Sequence, residues 1–338
     1  MRIGITYDLR DDYIAAGFSE EETVEFDCQE TIQAIEKALD DLGYQTDRIG
    51  NIKHLTKLLA KGDRWDMVFN IAEGLIGFSR EAQVPALLDA YNIPYTFSDP
   101  LVLCLTLHKA MAKRIVQQLG IPTPDFFVAE EITDLKTVNL PFPLFVKPVA
   151  EGTSKGITEA SKITNRNDLI SMCTRSLLKY KQPVLIETFL PGREFTVGIL
   201  GTGKNAQAIG VIEVIMREAA DPGIYSYRNK EQYEKLVEYR MASDSLAKKS
   251  VDIALAVWQG IGCRDAGRVD IRVDADGMPN FMEVNPLAGL HPQRSDLCII
   301  ARMAGMSYIS LIEKIMLSAI SRVCKEEHNS EFTVCLGR

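Results

Sequence analysis

The chain has 338 residues, of which 46% are hydrophobic and 25% are charged, as in folded proteins with more than one buried core. Its 46 acidic residues outnumber the 38 basic ones, and the net charge of −8 argues against non-specific binding to nucleic acid. The seven cysteines are scattered along the chain, which predicts free thiols. The N-terminus lacks a signal-peptide core, and no apolar run approaches the roughly 18 residues that span a bilayer, so we expect a cytoplasmic protein that is bound to no membrane.

Short apolar strands and amphipathic helices alternate over the first 100 residues. The polar residues 8–24 form a connection that is long for a compact domain, and we expect a functional loop there. Alternation of this kind favours a parallel sheet, so a first domain is predicted at 1–100. The predicted strands are 2–7, 44–49, 67–70 and 93–96, and the predicted helices are 25–42, 52–61 and 80–91.

The pattern changes after residue 100, where hairpin-like pairs of strands replace the regular alternation. A helix over 101–119 is followed by a strand that opens into the Gly/Ser/Thr/Lys segment 151–157. Further strands are predicted at 184–190, 194–200 and 206–215, and within 267–286, where a turn at 274–277 joins two of them. Helices are predicted at 243–261 and 297–324, a polar loop at 216–239 and a loosely ordered tail at 326–338.

Two carboxylates and an amide fall on the predicted hairpin at 267–286. Glu283 and Asn285 are two residues apart on one strand and therefore share a face, and pairing of the strands would bring Asp270 alongside them. Such an all-oxygen cluster suits magnesium when phosphates supply the remaining ligands. The alternative is a solvated strand face with ordinary acidic residues.

A lysine and a loop of small residues form the second feature. Lys147 ends an apolar strand, and the loop after it offers backbone amides and the hydroxyls of Thr153 and Ser154 to phosphate oxygens. The segment does not match GxxxxGK[ST], and the chain contains no GxGxxG. A plain flexible hairpin is the alternative.

The order of these features resembles the ATP-grasp superfamily, and within it the D-alanine–D-alanine ligases. The matching pieces are Lys109 on a helix, the strand and loop PLFVKPVAEGTSKGI, then VLIETFLPGREFTVGILG and GRVDIRVDADG…FMEVNP. The resemblance covers about residues 1–320 and is densest from 101 to 306. It implies an α/β (α+β) protein with an ATP-grasp fold and an N-terminal Rossmann-like domain at 1–100. A small subdomain at 101–183, a large subdomain with the metal site at 184–325 and a tail at 326–338 complete the expected organisation.

The resemblance also implies the parts of an ATP site. Lys109 and Lys147 would contact phosphates, Lys230 would reach the terminal phosphate, and Glu194 would hold the ribose hydroxyls. Two Mg²⁺ ions, with Mn²⁺ as an alternative, would be held by Asp270, Glu283 and Asn285, and Arg268 would stabilise the oxyanion of the transition state. Contacts with adenine or its surroundings are expected from Glu187, Phe189, Leu190 and Met282.

The stretches that would bind amino acids depart from the family pattern. Glu25, with Asp27 as the neighbouring choice, matches the acid that anchors the first amino group, although an acid there also suits the start of a helix. AEGLIGFSREAQ replaces the family's HGxxGEDGxxQ, so that Glu73 stands in place of the histidine and Phe78 and Ser79 in place of the acidic pair. Thr153 and Ser154 replace paired serines and are counted with Glu25 and Arg268 as catalytic.

The second substrate is expected near 289–296. Gly289 and Ser295 match the segment that receives its carboxylate, and Arg294 is either a partner of that carboxylate or an exposed arginine. Asp296 adds a charge that the family lacks, and His291 lines the pocket or faces solvent.

These features predict an ATP-dependent ligase that joins two small amino acids through an acyl phosphate, as a homodimer. Three alternatives stay open: the same chemistry on another amino acid or a peptide, an ATP-binding protein without catalysis, and a biotin-dependent carboxylase.

Overall fold

A computed structural model describes residues 1–217 and 233–335, without the side chains of 233–234 and 325–335. Its strands form three sheets, which follow one another along the chain. Lys230 and the tyrosines at 225 and 227 lie outside the described residues.

The first sheet is parallel, as the alternating pattern predicts. Its order is β2-β1-β3, and the last strand is buried along its whole length because helices cover the sheet. The segment predicted as a strand at 93–96 contributes one bridge only, between Val68 and Tyr95. The elements are β1 (Arg2–Thr6), α1 (Arg10–Ala15), α2 (Gln29–Asp41), β2 (Gln45–Gly50), α3 (Ile52–Lys61), β3 (Met67–Asn70) and α4 (Gln83–Ala90).

A four-stranded antiparallel sheet comes next, with the order β4-β7-β5-β6. The helix predicted at 101–119 is two helices that meet at His108, whose side chain accepts a hydrogen bond from Met111 N and so caps the second helix. The elements are α5 (Pro100–Leu107), α6 (Lys109–Gln118), β4 (Phe126–Ala129), β5 (Leu144–Pro148), β6 (Lys162–Ile163), α7 (Arg166–Tyr180) and β7 (Val184–Thr188).

The third sheet has five antiparallel strands in the order β10-β9-β8-β11-β12. The predicted division between subdomains at 183/184 differs from the pairing, because β7 belongs to the four-stranded sheet and the division follows Thr188. The elements are β8 (Glu194–Leu200), β9 (Gln207–Met216), α8 (Tyr233–Leu236), β10 (Val237–Met241), α9 (Ser245–Ile261), β11 (Ala266–Val273), β12 (Pro279–Asn285), α10 (Asp296–Met303) and α11 (Tyr308–Cys335).

The end of the described chain differs from the prediction in two ways. The helix predicted at 297–324 is interrupted near Gly305, which adopts a φ of 82° that favours glycine. The helix after this break continues to Cys335, through most of the predicted polar tail.

The core of the N-terminal domain includes the last helix. Buried Ile312 and Ile315 of α11 join the apolar cluster that contains Ile32, Ile35 and Leu39 of α2. A second cluster lies between the five-stranded sheet and α9, and it encloses Trp258. The domain of residues 1–100 is therefore completed by residues from the other end of the described chain.

None of the described helices is, by itself, long and apolar enough to cross a membrane. The segments Asp296–Met303 and Tyr308–Cys324 pass such a test of length and composition only when taken as a pair, and they are bent by 111° at their junction.

Candidate active site

A cavity of about 310 Å³ lies where the N-terminal domain, the four-stranded sheet and the β11–β12 hairpin meet. Its walls come from the segment before α2, the junction of α5 and α6, the loop after β5, and the chain from β12 to α10. It brings together many of the residues predicted from sequence, namely Glu25, Glu73, Lys109, Thr153, Arg268, Glu283, Asn285, Gly289, Arg294 and Ser295.

The β11–β12 hairpin places the predicted metal-site residues side by side. Asp270 pairs directly with Glu283 across the two strands, as the alternation of side chains predicted, and Arg268 pairs with Asn285. The Arg268 guanidinium contacts Asp270 and lies 3.6 Å from an oxygen of Asp296. Burial raises the pKa of Asp270 to about 6, with Glu283 adding to the effect and Arg268 opposing it.

The donor atoms on this hairpin fit magnesium. Two carboxylates and one amide are hard oxygen donors, and Mg²⁺ needs few protein ligands where phosphates supply the rest. The described residues contain no group of three or more His, Cys, Asp or Glu side chains that could hold a metal ion without other ligands. Lys109 lies 3.4 Å from Glu283, and the amide of Asn285 donates to the same carboxylate at 3.4 Å.

A buried group of charges links the two antiparallel sheets. The resemblance places Glu187 at the adenine edge, whereas its carboxylate is fully enclosed here, 3.0 Å from Lys113 and 2.7 Å from Lys147. Lys113 also donates to Thr123 and to the carbonyl of Phe281. Burial lowers the pKa of Lys113 to about 8, and although burial also acts against the charge of Lys147, Glu187 raises the pKa of that residue.

Three of the remaining ATP-site candidates, Phe189, Leu190 and Glu194, lie around the turn between β7 and β8, outside the lining of the cavity. Phe189 and Leu190 are buried, and Glu194 accepts a hydrogen bond from Arg272 at 3.0 Å. The charged groups of Lys162 and Arg272 approach the ring of Phe189. Met282 is half-buried on β12 between Phe281 and Glu283, and Ser154 lies in the loop after β5.

The loop after β5 has an unusual backbone. Thr153 and Ser154 adopt φ values of 49° and 55°, in a backbone region that residues other than glycine rarely adopt. Such conformations cost about 1–3 kcal/mol each and persist where the surroundings determine them. Two of those surroundings are Lys109, which donates to Glu151 O at 2.5 Å, and Glu25, which accepts from Gly152 N at 2.5 Å.

Both oxygens of Glu25 accept a hydrogen bond. One of its oxygens accepts from Gly152 N, and the other accepts from buried Arg80 at 2.7 Å. Arg80 also donates to Ala150 O at 2.9 Å. Burial alone would raise the pKa of Glu25, but Arg80 more than offsets it and the pKa is lowered. Since α2 begins only at Gln29, Glu25 does not act as the first residue of that helix.

Arg80, Glu81 and Lys113 are functional candidates that the sequence reasoning missed. Arg80 and Lys113 act through partners distant in sequence, Glu25 and Glu187, and Glu81 lies near Glu73 only through the fold of the loop, so no local spacing pattern marked them. The sequence does offer one signal: Arg80 and Glu81 are charged, whereas the family pattern has a glycine and an unspecified residue at these positions.

The chain between β12 and α10 carries the predicted second-substrate residues. Ser295 Oγ accepts from His291 N at 2.9 Å, and a Cβ at Gly289 would lie 2.9 Å from the same oxygen, so Gly289 leaves room for Ser295. Arg294 is exposed and contacts the His291 ring, whose pKa is lowered by burial and by Arg294. Asp296 is buried and accepts from Tyr239 OH at 3.2 Å.

Comparisons with known proteins agree with this architecture. Residues 115–317 match a family model described as the C-terminus of D-Ala–D-Ala ligase. The chain is 33% identical to the D-alanine–D-alanine ligase of Bordetella petrii over 82% of each chain. It is 36% identical to that of Aquifex aeolicus, over 85% of this chain and 93% of the other.

Solved structures of ligases have the same fold. The D-alanine–D-alanine ligase of Bacillus anthracis in complex with ATP superposes with a TM-score of 0.71 at 25% identity, over 97% of this chain and 99% of the other. The VanG D-Ala:D-Ser ligase of Enterococcus faecalis shares the fold at 18% identity, again with a TM-score of 0.71. The matched family model and these relatives together show that the chain belongs to the D-alanine–D-alanine ligase family of ATP-grasp enzymes.

Proposed function

We propose that this chain uses ATP to join two amino acids, with D-alanine as the first candidate for both. The observation that supports this most is the single cavity that unites an arginine, a lysine and the hairpin oxygens with a wall suited to amino acids. The family relatives named D-alanine–D-alanine ligases support the same substrate.

The first step transfers a phosphoryl group from ATP to the carboxylate of the first amino acid. A carboxylate oxygen attacks the terminal phosphorus and ADP leaves, which converts a poor electrophile into an acyl phosphate. Lys109 and Lys147 neutralise phosphate charge in this proposal, and Glu187 fixes Lys147. Lys230, outside the described residues, is assigned to the terminal phosphate.

Asp270, Glu283 and Asn285 would hold the two Mg²⁺ ions, for which Mn²⁺ is an alternative. Bound there, the ions would supply positive charge to the phosphate oxygens. Arg268 contacts Asp270 and Lys109 lies 3.4 Å from Glu283, so each carboxylate has a cation beside it. Phe189, Leu190 and Met282 are proposed to contact adenine, and Glu194 to hold the ribose hydroxyls.

The second step forms the amide bond. The neutral amine of the second amino acid attacks the acyl carbon, and the bond from that carbon to the phosphate oxygen breaks. The departing phosphate takes the proton that the nitrogen releases. Arg268, which lines the cavity, is proposed to stabilise the negative oxygen that develops on that carbon. Ser295 and Arg294 are proposed to bind the carboxylate of the second amino acid, with Gly289 leaving the space that Ser295 requires.

The loop with Thr153 and Ser154 is proposed to cover the acyl phosphate, because water that reached it would hydrolyse it. We further propose a cytoplasmic homodimer, since ATP is supplied in the cytoplasm and the resemblance implies a dimer.

The test is phosphate release from Mg-ATP by the purified chain, with single and paired amino acids of both configurations and mass analysis of the products. We expect release with D-alanine and a D-alanyl dipeptide. Release with a different pair only would replace the substrate and keep the reaction. ATP binding without release across the whole panel would refute the ligase.

A matched pair of variants tests the hairpin assignment. Glu283→Gln keeps the size of the side chain but removes its charge, and we expect turnover to fall at least about 100-fold. Glu36→Gln, on a surface ion pair with Arg48, should leave turnover unchanged. Circular dichroism would check that both variants fold, and substantial turnover by Glu283→Gln would remove the metal assignment.

A further inference from the structure

Two carboxylates in the cavity wall lack a hydrogen-bond or ion-pair partner among the described residues. Glu73 and Glu81 both line the cavity, and neither forms a hydrogen bond or an ion pair with any residue in the described part of the chain. The other cavity acids do have partners, such as Lys109 for Glu283 and Arg268 for Asp296. Arg80 lowers the pKa of both and Lys109 that of Glu81, but burial outweighs them, so the charged carboxylates are stabilised by a further cation and otherwise take up a proton.

The loop geometry places these two acids together. A Cβ at Gly74 would lie 2.5 Å from Arg80 O, which means that the chain closes on itself at these two residues. Glu73 precedes Gly74 and Glu81 follows Arg80, so this contact brings the two acids close together in space. Gly74 N also donates to Asp8 at 2.8 Å, which fixes one side of the loop.

Glu25 already has a cation beside it, and an ammonium ion on its remaining lone pairs would lie next to the Arg80 guanidinium. One oxygen of Glu25 accepts from Arg80 and the other from Gly152 N, and Arg80 also donates to Ala150 O. The ion pair is enclosed, with side-chain exposures of 8% for Arg80 and 11% for Glu25. Breaking a buried pair of this kind leaves an uncompensated charge, which is strongly unfavourable.

We infer that Glu73 and Glu81 together bind the ammonium group of the first amino acid, while Glu25 acts as a positioning residue that fixes the loop after β5. This rests on the proposed function and changes which residues recognise its substrate. An ammonium ion has three donors, enough to bind both carboxylates at once. Arg80 takes the place of the substrate's charge at Glu25.

The experiment compares an amino acid with the same acid lacking its amino group. The probes are D-alanine and propionate, each titrated by calorimetry into the chain loaded with Mg-ADP. Wild type, Glu25→Gln, Glu73→Gln, Glu81→Gln and the Glu73→Gln/Glu81→Gln double variant are measured, and phosphate release from Mg-ATP is followed in parallel. Glutamine keeps the shape of each side chain, and removing two neighbouring negative charges relieves repulsion in the fold.

We expect wild type to prefer D-alanine over propionate, and the double variant to lose about 10- to 100-fold in affinity for D-alanine with little change for propionate. Glu25→Gln should keep the preference and lower the rate of phosphate release through the loop.

Each contrary result has a distinct meaning. A preference that survives in the double variant and disappears in Glu25→Gln would overturn the inference and leave the ligase intact. A preference lost in the double variant, without phosphate release by wild type, would support the inference and refute the ligation. Equal binding of both probes by wild type would overturn the inference.

Discussion

A carboxylate binds an ammonium ion only after it has lost its proton. Burial raises the pKa of Glu81 to about 7, with Glu25 adding to the effect and Arg80 and Lys109 opposing it. The pKa of Glu73 is raised by burial and by the neighbouring charges of Glu81 and Glu25. Near neutral pH the two acids therefore share protons that a bound cation must displace.

The affinity for D-alanine should therefore increase as the pH rises from 6 to 8. Below a pKa near 7 each pH unit costs up to about tenfold in binding, because the proton competes with the ligand. Calorimetry at four pH values would measure the affinity for D-alanine. We expect wild type to release protons when D-alanine binds. The double variant should show a much flatter profile.

Asp27 is the internal control for this profile. Burial raises its pKa to about 7 as well, and it remains in the double variant with Thr31 as its hydrogen-bond partner. A profile that is unchanged in the double variant would assign the titration to Asp27. Burial and Arg294 lower the pKa of His291, so it carries less charge in this pH range than an ordinary histidine.

The β11–β12 hairpin depends on close contact at one glycine. A Cβ at Gly267 would lie 2.4 Å from Asn285 O and 2.7 Å from the ring of Trp258. Backbone and a fully buried indole have little room to move, so the two strands would have to separate next to Arg268.

Gly267→Ala should destabilise the fold by about 1–3 kcal/mol and lower phosphate release more than this loss of stability explains. The control is Gly277→Asn in the turn of the same hairpin, where a Cβ meets no atom within 4 Å and asparagine tolerates the φ of 80°. Urea denaturation and turnover at a temperature well below unfolding would measure both effects. Full activity in Gly267→Ala would show that strand register does not limit the site.

Elements with local signals could be predicted from the sequence. The helix at Ile52–Lys61 has an asparagine cap before it and a left-handed glycine after it, and its bounds were predicted without error. The break at His108 was missed because the apolar pattern continues across it, and the capping contact appears only in three dimensions.

The same distinction applies to the site. Alternation along two paired strands was enough to predict that Asp270 lies beside Glu283. The contact of Arg80 with Glu25 joins residues 55 positions apart in the chain, and nothing in local spacing encodes it. The substrate wall was therefore less predictable than the hairpin.

On the scale of the whole molecule, the N-terminal domain depends on the last helix. Ile315 of α11 is fully buried in the cluster formed with α2, whereas Leu317, two residues further, is 55% exposed. The two positions carry aliphatic side chains of similar size on the same helix, so they form a matched pair.

Ile315→Ala should lower the free energy of unfolding by about 2–5 kcal/mol, because it leaves a cavity in a shared core. Leu317→Ala should change it by less than about 0.5 kcal/mol, as surface substitutions usually do. Guanidinium denaturation followed by the fluorescence of Trp65, in the N-terminal domain, and Trp258 would compare them. Equal effects would mean that α11 does not support the core.

The contacts of Lys113 determine where the two antiparallel sheets are held together. Its amine binds Glu187 of the four-stranded sheet and the carbonyl of Phe281 on the five-stranded sheet, and Thr123 also donates to Phe281 O at 2.8 Å. Phe281 N in turn donates to Pro122 O. This ion pair and these hydrogen bonds join the two sheets next to Lys113. We expect any widening between the sheets to pivot there, so that the opening is greatest at the edge farthest from Lys113.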